Sequence, residues 1–374
     1  MGQKLDKLKP QPTIQETSQN QIPEQFDQTK FKIDQVKQQI NESQGQESLF
    51  VSKWGFMLDQ SFGILLGQLI SKQVYLINLK FDLSINNLQQ EGVRGLFVNF
   101  KNLHKLQLLI INLSENKLLD EGTAEITKGI SQCKHLQHLQ LDLSFNKIAG
   151  EDALFKPLQN LENLIFIDLN FEKNKISQKG LQSITSDLSS VNNLKNLKLK
   201  FINNQIQCLE GLFYLSQLKN LKQLELQFQS NQITVESFKK WQSEIKDGFH
   251  QLISLELNFR NNVFKDIQTQ LFQLSGLAQI KSLKKFSLSI DLYNLNICQE
   301  ISKLNNIHSL SLQDQKNSLD SSNFFKILSK MENLRIFEIV KNHRQNMANV
   351  QFDQPLKTMF KTKRLVLMQQ LYCI

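Results

Sequence analysis

The sequence predicts an α/β solenoid, in which one strand and one helix repeat along a single parallel sheet. A thirteen-residue window, typified by LQHLQLDLSFNKI at 136–148, occurs nine times, with steps of 30, 30, 28, 30, 27, 31, 31 and 24 residues between successive starts. A nearly fixed spacing in this range is typical of a chain built from one repeated unit. Apolar residues also alternate with other residues across the middle of each window, and this alternation indicates a strand. The windows start at Leu76, Leu106, Leu136, Leu164, Leu194, Leu221, Leu252, Leu283 and Ile307.

The eleventh position of the window is Asn in eight of the nine windows, with Tyr293 as the exception. A carboxamide offers two donors and one acceptor oxygen, so a stack of them can bond backbone groups that the turn after each strand leaves unpaired. The sequence therefore predicts a structural Asn column. Its members are Asn86, Asn116, Asn146, Asn174, Asn204, Asn231, Asn262 and Asn317.

Three windows are followed by a helix signal, because Gly92, Gly122 and Gly180 lie six residues after their Asn and precede apolar residues at helical spacing. Over roughly residues 76–319 the windows resemble leucine-rich repeats, and these glycines are similar to the long-repeat, ribonuclease-inhibitor-like class. The resemblance implies a curved parallel sheet with strands on its concave face and helices on its convex face. The windows hold two more residues between the first leucine and the Asn than the family's usual spacing, which predicts a longer strand.

The chain is predicted to divide into four segments. Residues 1–46 hold twelve glutamines, with six lysines balanced by six acidic residues, and are expected to be a disordered tail in which the apolar residues of 31–40 could form a short helix. Residues 47–75 are rich in apolar residues and are expected to cap the first repeat. About nine repeats occupy 76–333. Residues 334–374 hold degenerate repeats and a basic C-terminal cap, and 341–374 carry +5 of the chain's formal +9.

Composition favours a cytoplasmic protein without a membrane span. The four cysteines are scattered, without the spacing of a disulfide framework, which indicates a reducing, intracellular location. The N-terminal residues lack the hydrophobic segment of a secretory signal, and no apolar run approaches 18 residues.

The motifs of phosphoryl transfer, zinc hydrolysis and serine hydrolysis do not occur, so neither an enzyme nor a cofactor or small-molecule substrate is expected. Cys133, His135 and His138 lie within six residues of one another. A structural zinc site needs a fourth ligand, and strand alternation separates these side chains, so a solvated loop is the favoured interpretation.

The candidate binding surface is the outward side of the predicted strands. If the fourth, sixth and eighth window residues point into the core, the fifth and seventh face outward. Lys198 is expected to lie close enough to Asp168 and Glu225 for these side chains to pair with one another. The candidate partner-binding residues are Asp142, Asp168, Asn170, Lys198, Lys200, Glu225 and Glu256.

The sequence favours a non-catalytic scaffold that binds a protein partner through this surface, as leucine-rich repeats generally do. The resemblance leaves two alternatives open, a regulator of an enzyme (an inhibitor or a GTPase-activating protein) and a protein related to kinases that carry such repeats. Nucleic-acid binding through the basic C-terminus is a weaker alternative. The acidic residues of the outward surface would repel phosphate, so nucleic acid is an unlikely partner for that surface.

Overall fold

The computed structural model describes residues 28–245, 247–263, 273–291, 295–314, 330–341 and 366–368. Within these ranges the strands form one twelve-stranded sheet in which each strand pairs with the next along the chain and every pairing is parallel. The predicted α/β architecture with a parallel sheet is confirmed. The strands are β1 Ser48–Ser52, β2 Asn78–Asp82, β3 Leu108–Asn112, β4 His138–Asp142, β5 Phe166–Asn170, β6 Asn196–Lys200, β7 Gln223–Gln227, β8 Ser254–Asn258, β9 Lys285–Ser289, β10 Ser309–Asp314, β11 Ile336–Lys341 and β12 Val366–Met368.

Helices alternate with the strands, as the windows predict. The α-helices are α1 Gln28–Glu42, α2 Gln60–Ile70, α3 Gln89–Phe97, α4 Leu119–Ile130, α5 Gln178–Leu188, α6 Val235–Glu244, α7 Ser275–Gln279 and α8 Leu295–Ser302. Short 3-10 segments lie at Phe100–Asn102, Lys156–Asn160 and Glu210–Gln217. No helix in the described ranges is long and apolar enough to cross a membrane.

Two units have a 3-10 segment in place of an α-helix, between β4 and β5 and between β6 and β7. They are the units with the sequence steps of 28 and 27 residues. The following unit supports each of them. The Asp187 carboxylate of α5 accepts a hydrogen bond from the Phe155 N–H at 3.0 Å, and the Ser237 hydroxyl of α6 accepts one from the Leu209 N–H at 2.7 Å.

The core lies between the sheet and the helices. The second and fourth residues of each five-residue strand are buried there, as strand alternation requires. Behind strands β5 to β8 the core contains a column of phenylalanine rings at the eighth window position. Their centroids are 5.3, 5.3 and 5.6 Å apart, and the pairs are stacked. The rings belong to Phe171, Phe201, Phe228 and Phe259.

The Asn side chains join neighbouring units. The Asn146 carboxamide oxygen accepts hydrogen bonds from the backbone N–H of Asn116 at 2.8 Å and of Leu118 at 3.2 Å, both in the preceding unit. Its Nδ2 donates to the Leu113 carbonyl of that unit at 2.8 Å and to the Leu143 carbonyl of its own unit at 3.2 Å. Equivalent bonds between units are made by Asn86, Asn116, Asn174, Asn204, Asn231 and Asn262.

These bonds hold a turn whose backbone is unfavourable. The residue before each of the seven described Asn has a positive φ between 52° and 58°. Ile85 is one of them, and a left-handed conformation is particularly costly for a β-branched residue. Such conformations persist only where surrounding contacts fix them, and the carboxamide bonds supply those contacts here. Asn317 lies outside the described residues.

The segment 47–75, expected as a cap, is built as a further strand and helix unit. Its strand β1 pairs with β2 in register, and α2 follows β1. The unit has Phe56 at the position of the Asn column, but Asn86 of the next unit accepts hydrogen bonds from the backbone N–H of Phe56 at 3.2 Å and of Leu58 at 2.9 Å. Since each Asn serves the turn before its own, the first unit has no preceding turn to serve.

Helix α1 packs beside the first strand. Val36 and Ile40 are buried in the core, and the Gln39 Nε2 donates to the Phe50 carbonyl of β1 at 2.6 Å. The outer edge of β1 is therefore partly covered, which reduces its capacity to pair with another chain. The rest of the predicted tail, residues 1–27, lies outside the described residues.

Close approach between neighbouring units explains one of the glycines that marked the helical part. A Cβ on Gly180 in α5 would lie 2.1 Å from the Ala149 carbonyl oxygen, so a larger residue would push the two segments apart. At Gly122 in α4 the nearest atom to an added Cβ would be the Leu118 Cβ at 3.1 Å, which is a tight but less severe contact.

Asn174→Ala should lower the free energy of unfolding by about 1–3 kcal/mol, because the N–H groups of Asn146 and Ile148 would lose their acceptor. Thermal and urea unfolding would measure the change. Asn192→Ala, at an exposed position, is the matched control and should leave stability within about 0.5 kcal/mol of the parent. Equal losses in the two variants would contradict a structural role for the Asn column.

Gly180→Ala should lower the free energy of unfolding by about 2 kcal/mol or more, since the added methyl group overlaps a backbone oxygen. Gly122→Ala should change it by less than about 1 kcal/mol, because a small shift of Leu118 and the lower entropy of the unfolded chain offset each other. Parallel urea titrations would compare them. A Gly122 variant as unstable as the Gly180 variant would contradict this account.

Candidate interaction face of the sheet

The side of the sheet away from the helices is accessible and carries all the predicted partner-binding residues. We define the open face as the side chains of the first, third and fifth residues of each strand from β1 to β11. In the described strands most of these side chains are partly or fully accessible, whereas the second and fourth are buried. The parallel register places third residues beside third residues, and we call this line the middle row. The line of fifth residues is the last row.

The structure brings the predicted residues together on five consecutive strands. Asp168, Lys198, Glu225 and Glu256 are neighbours in the middle row on β5 to β8. In the last row, Asp142, Asn170 and Lys200 are neighbours on β4 to β6.

The expected charge pairing occurs between Lys198 and Glu225, whose Nζ and Oε1 atoms are 2.8 Å apart. The Glu225 carboxylate also accepts a hydrogen bond from the Gln227 amide of its own strand. Both charged side chains remain partly in contact with water, so the pair contributes on the order of 1 kcal/mol or less to stability. Its larger effect is that neither charge is free to meet a partner without breaking an existing bond.

Two of the predicted residues, Asp142 and Asn170, form hydrogen bonds with the backbone of the turn that follows their strands. The Asp142 Oδ1 accepts from the backbone N–H of Ser144 at 2.9 Å, and its Oδ2 accepts from the Asn170 Nδ2 at 2.9 Å. The Asn170 Oδ1 in turn accepts from the Glu172 N–H at 3.0 Å. This is an Asx turn, in which a short polar side chain bonds the backbone two residues on. Asp82, Asn112 and Asn258 make the same bond.

Lys200 and Gln227 interrupt that line of turn-forming side chains, because neither is an Asx residue. Among the described contacts Lys200 makes no side-chain hydrogen bond and no ion pair, although its charge acts on Asp168. The charge on this part of the last row is therefore available at the surface.

Burial perturbs two carboxyl groups of the middle row. It raises the pKa of Asp168 above its ordinary value, and the ammonium groups of Lys200 and Lys198 offset only part of this rise. Burial also raises the pKa of Glu256, and the neighbouring Glu225 carboxylate raises that pKa further. Burial thus disfavours the ionised form of both carboxyl groups.

Apolar side chains on the open face were missed by the analysis of the sequence, which considered only the third and fifth residues of each strand for their charges and amides. On β1 the Phe50 side chain is 57 % exposed. Phe50 and Leu108 help to line an open cavity of about 680 Å³ with the side chain of Lys80. His138 and Phe166 are the first residues of β4 and β5, and their rings lie 5.8 Å apart. The two-residue alternation that identified the other rows would also have placed these residues outward.

The residues that suggested a metal site are separated. Cys133 is buried, its Sγ lies 3.6 Å from the Phe100 carbonyl oxygen, and burial raises the pKa of its thiol to about 12. His138 instead lies on the open face. Within the described ranges, no group of three or more His, Cys, Asp or Glu side chains is placed to hold a metal ion.

No protein-family model matches the chain, and the comparison with curated proteins gives no match.

Asp168→Asn should raise the melting temperature at pH 7, because it removes a charge that burial disfavours. A raised pKa means that the native state favours the protonated carboxyl. The associated stability is fully present below the ordinary aspartate pKa of about 3.9 and is lost as the pH rises through the higher folded-state value. The advantage of the variant should accordingly shrink as the pH falls toward 4. Thermal melts of both proteins over this range would measure it.

Asp142→Asn is the matched control on the same face. Its carboxylate is already bonded by Ser144 and Asn170, so removing the charge should bring no gain at pH 7. A lower melting temperature for Asp168→Asn than for the parent at pH 7 would show that the lysines outweigh burial.

Proposed function

We propose that the chain is a non-catalytic scaffold that binds a protein partner through the open face. In this proposal the chain is a leucine-rich-repeat solenoid of the ribonuclease-inhibitor-like class, and the open face is its concave side. The observation that carries the proposal is a continuous sheet surface with accessible apolar side chains. Phe50 is 57 % exposed, and Leu108, Ile110 and Phe166 are partly accessible. Isolated apolar residues are common on protein surfaces, but a sheet face that carries several of them beside charged rows has the composition of an interface.

The dimensions of the face suit a protein better than a small molecule. Eleven strands about 4.8 Å apart extend over about 48 Å, and five residues of each strand cover about 13 Å. The projected area is then about 600 Å², the same order as the roughly 800 Å² that one partner contributes to a standard protein interface. Small ligands are instead held in pockets that enclose most of their surface. The cavity beside Phe50 is open, and its lining includes the charged Lys80.

Apolar side chains lie on one part of the open face and charged side chains on another, which is the arrangement of an interface with an apolar anchor and a polar surrounding. Interface energy is concentrated in a few aromatic or large side chains, and neighbouring contacts mainly exclude water. Phe50, Ile110 and Phe166 lie on the first five strands, and the acidic part of the middle row begins at Asp168. A partner seated across both regions would bury its apolar residues on one part and match charges on the other.

The enzyme-regulator alternative uses the same surface, and no observation favours it over a general scaffold. The nucleic-acid alternative depends on the basic segment of residues 341–374, of which 342–365 and 369–374 lie outside the described residues. On the open face the carboxylates at Asp168, Glu225 and Glu256 would repel phosphate.

Phe50→Ala should weaken binding of a partner by a factor of ten or more, equivalent to about 1.4 kcal/mol, because truncation removes an aromatic anchor. The partner would be isolated with the tagged full chain and its affinity then measured by calorimetry with purified components.

Phe213→Ala is the matched control, since Phe213 is also an exposed aromatic residue but lies on a 3-10 segment on the helix side of the sheet. Its effect on affinity should be less than about twofold. Loss of binding in the Phe213 variant with full binding in the Phe50 variant would move the interface to the helices and reject the open face.

A further inference from the structure

The charges of the middle row do not balance. Asp168, Lys198, Glu225 and Glu256 follow one another on adjacent strands, so three carboxylates share one ammonium group. Lys198 is bonded to Glu225. Among the described contacts the Glu256 side chain makes no hydrogen bond and no ion pair. Asp168 and Glu256 are therefore left without an ion pair among the described contacts. Two lysines act on Asp168 but only Lys198 acts on Glu256, so the Glu256 carboxylate is the less compensated of the two.

The surroundings of Glu256 make this imbalance costly. The residue is only partly accessible, and both burial and the adjacent Glu225 carboxylate raise its pKa. A carboxylate that is partly removed from water gains most from a charged donor brought by a partner, because that donor replaces the lost hydration.

The strands beyond Glu256 leave room for such a donor. In the middle row its next neighbours are Ser287 on β9 and Ser311 on β10, both with short side chains. In the last row of β9, Ser289 is 1 % exposed and its hydroxyl has no hydrogen-bond partner. Since Ser289 is two residues from Ser287 along the strand, the two side chains are on the same face. A buried, unsatisfied hydroxyl and an unpaired carboxylate thus belong to adjacent strands on the same side of the sheet.

We infer that Glu256 and the serines beside it receive a basic side chain, preferably arginine, from an extended segment of the protein partner. This inference rests on the proposed function and specifies the chemistry of its partner. Arginine fits best because its planar guanidinium carries five N–H donors, enough to bond both carboxylate oxygens and a neighbouring hydroxyl. Lysine offers a compact charge with three donors and would bond fewer of these groups at once. Phe50 and the partly accessible Phe166 remain the apolar part of the same interface.

Lys198 and Lys200 alone would favour an acidic segment of the partner, whereas Glu256 favours a basic one. A carboxylate from a partner would meet Lys200, but it would approach Asp168 at the same time and compete with Glu225 for Lys198. A cation at Glu256 meets less opposition, because Lys198, the nearest lysine of the middle row, is already paired with Glu225 and lies two strands away.

The test uses the full chain and two fluorescent peptides of the same length, one alternating arginine with serine and the other alternating glutamate with serine. The arginine peptide should bind, and fluorescence anisotropy at low salt would measure its affinity. Glu256→Gln should weaken this binding by at least about fivefold. Glu236→Gln is the matched control, since this carboxylate lies on helix α6 with 77 % of its side chain exposed, and it should change affinity by less than about twofold.

Melting temperatures separate a binding role from a structural one. Glu256→Gln should melt at or above the temperature of the parent, because it removes an unpaired charge. A lower melting temperature would mean that the carboxylate is paired within the chain, and this result would overturn the inference. So would equal effects of the Glu256 and Glu236 variants, no binding of the arginine peptide, or tighter binding of the glutamate peptide.

The outcomes also distinguish this inference from the proposed function. If Phe50→Ala weakens binding of the isolated partner and Glu256→Gln leaves the arginine peptide unaffected, the open face binds proteins but not through a basic segment. If neither the Phe50 variant nor the Glu256 variant changes binding, the open face is not the interface and both proposals fail.

Discussion

The hydrogen bonds from each Asn side chain to the turn of the preceding unit are the constraint on which the rest of the structure depends. Asn146 alone bonds two N–H groups of the preceding unit and carbonyls in both units. A turn with left-handed residues is unfavourable in isolation, so each unit is completed by the one that follows it. The stability of such an array depends on the contacts between neighbouring units, as expected for a chain in which no unit buries its apolar face alone.

This constraint also produces the rows of the open face. Because successive turns are joined at equivalent positions, successive strands pair without a shift in register, and third residues meet third residues. Side chains in a row are then about 4.8 Å apart and interact directly. The pairing of Lys198 with Glu225 and the isolation of Glu256 both follow from this geometry.

Much of the candidate face could be predicted from the sequence, because alternation with a period of two assigns each strand residue to one side of the sheet. The same reasoning placed Lys198, Glu225 and Glu256 outward. It did not anticipate that Asp142 and Asn170 bond the turn, although the serine two residues after Asp142 is typical of an Asx turn. Nor could it show which charge remains unpaired, since that depends on side-chain geometry across three strands.

The sequence by itself determined the repeating unit, the alternation of strand and helix, the sides of the strands and the position of the Asn column, because these properties follow from local periodicity within one window. The tertiary structure decided the features that arise between windows. It showed that residues 47–75 form a further unit whose turn is bonded by Asn86, that α1 packs on β1, and that Gly180 lies against the Ala149 carbonyl. These contacts join residues about 30 positions apart, and the spacing of residues within one unit carries no information about how closely two units approach.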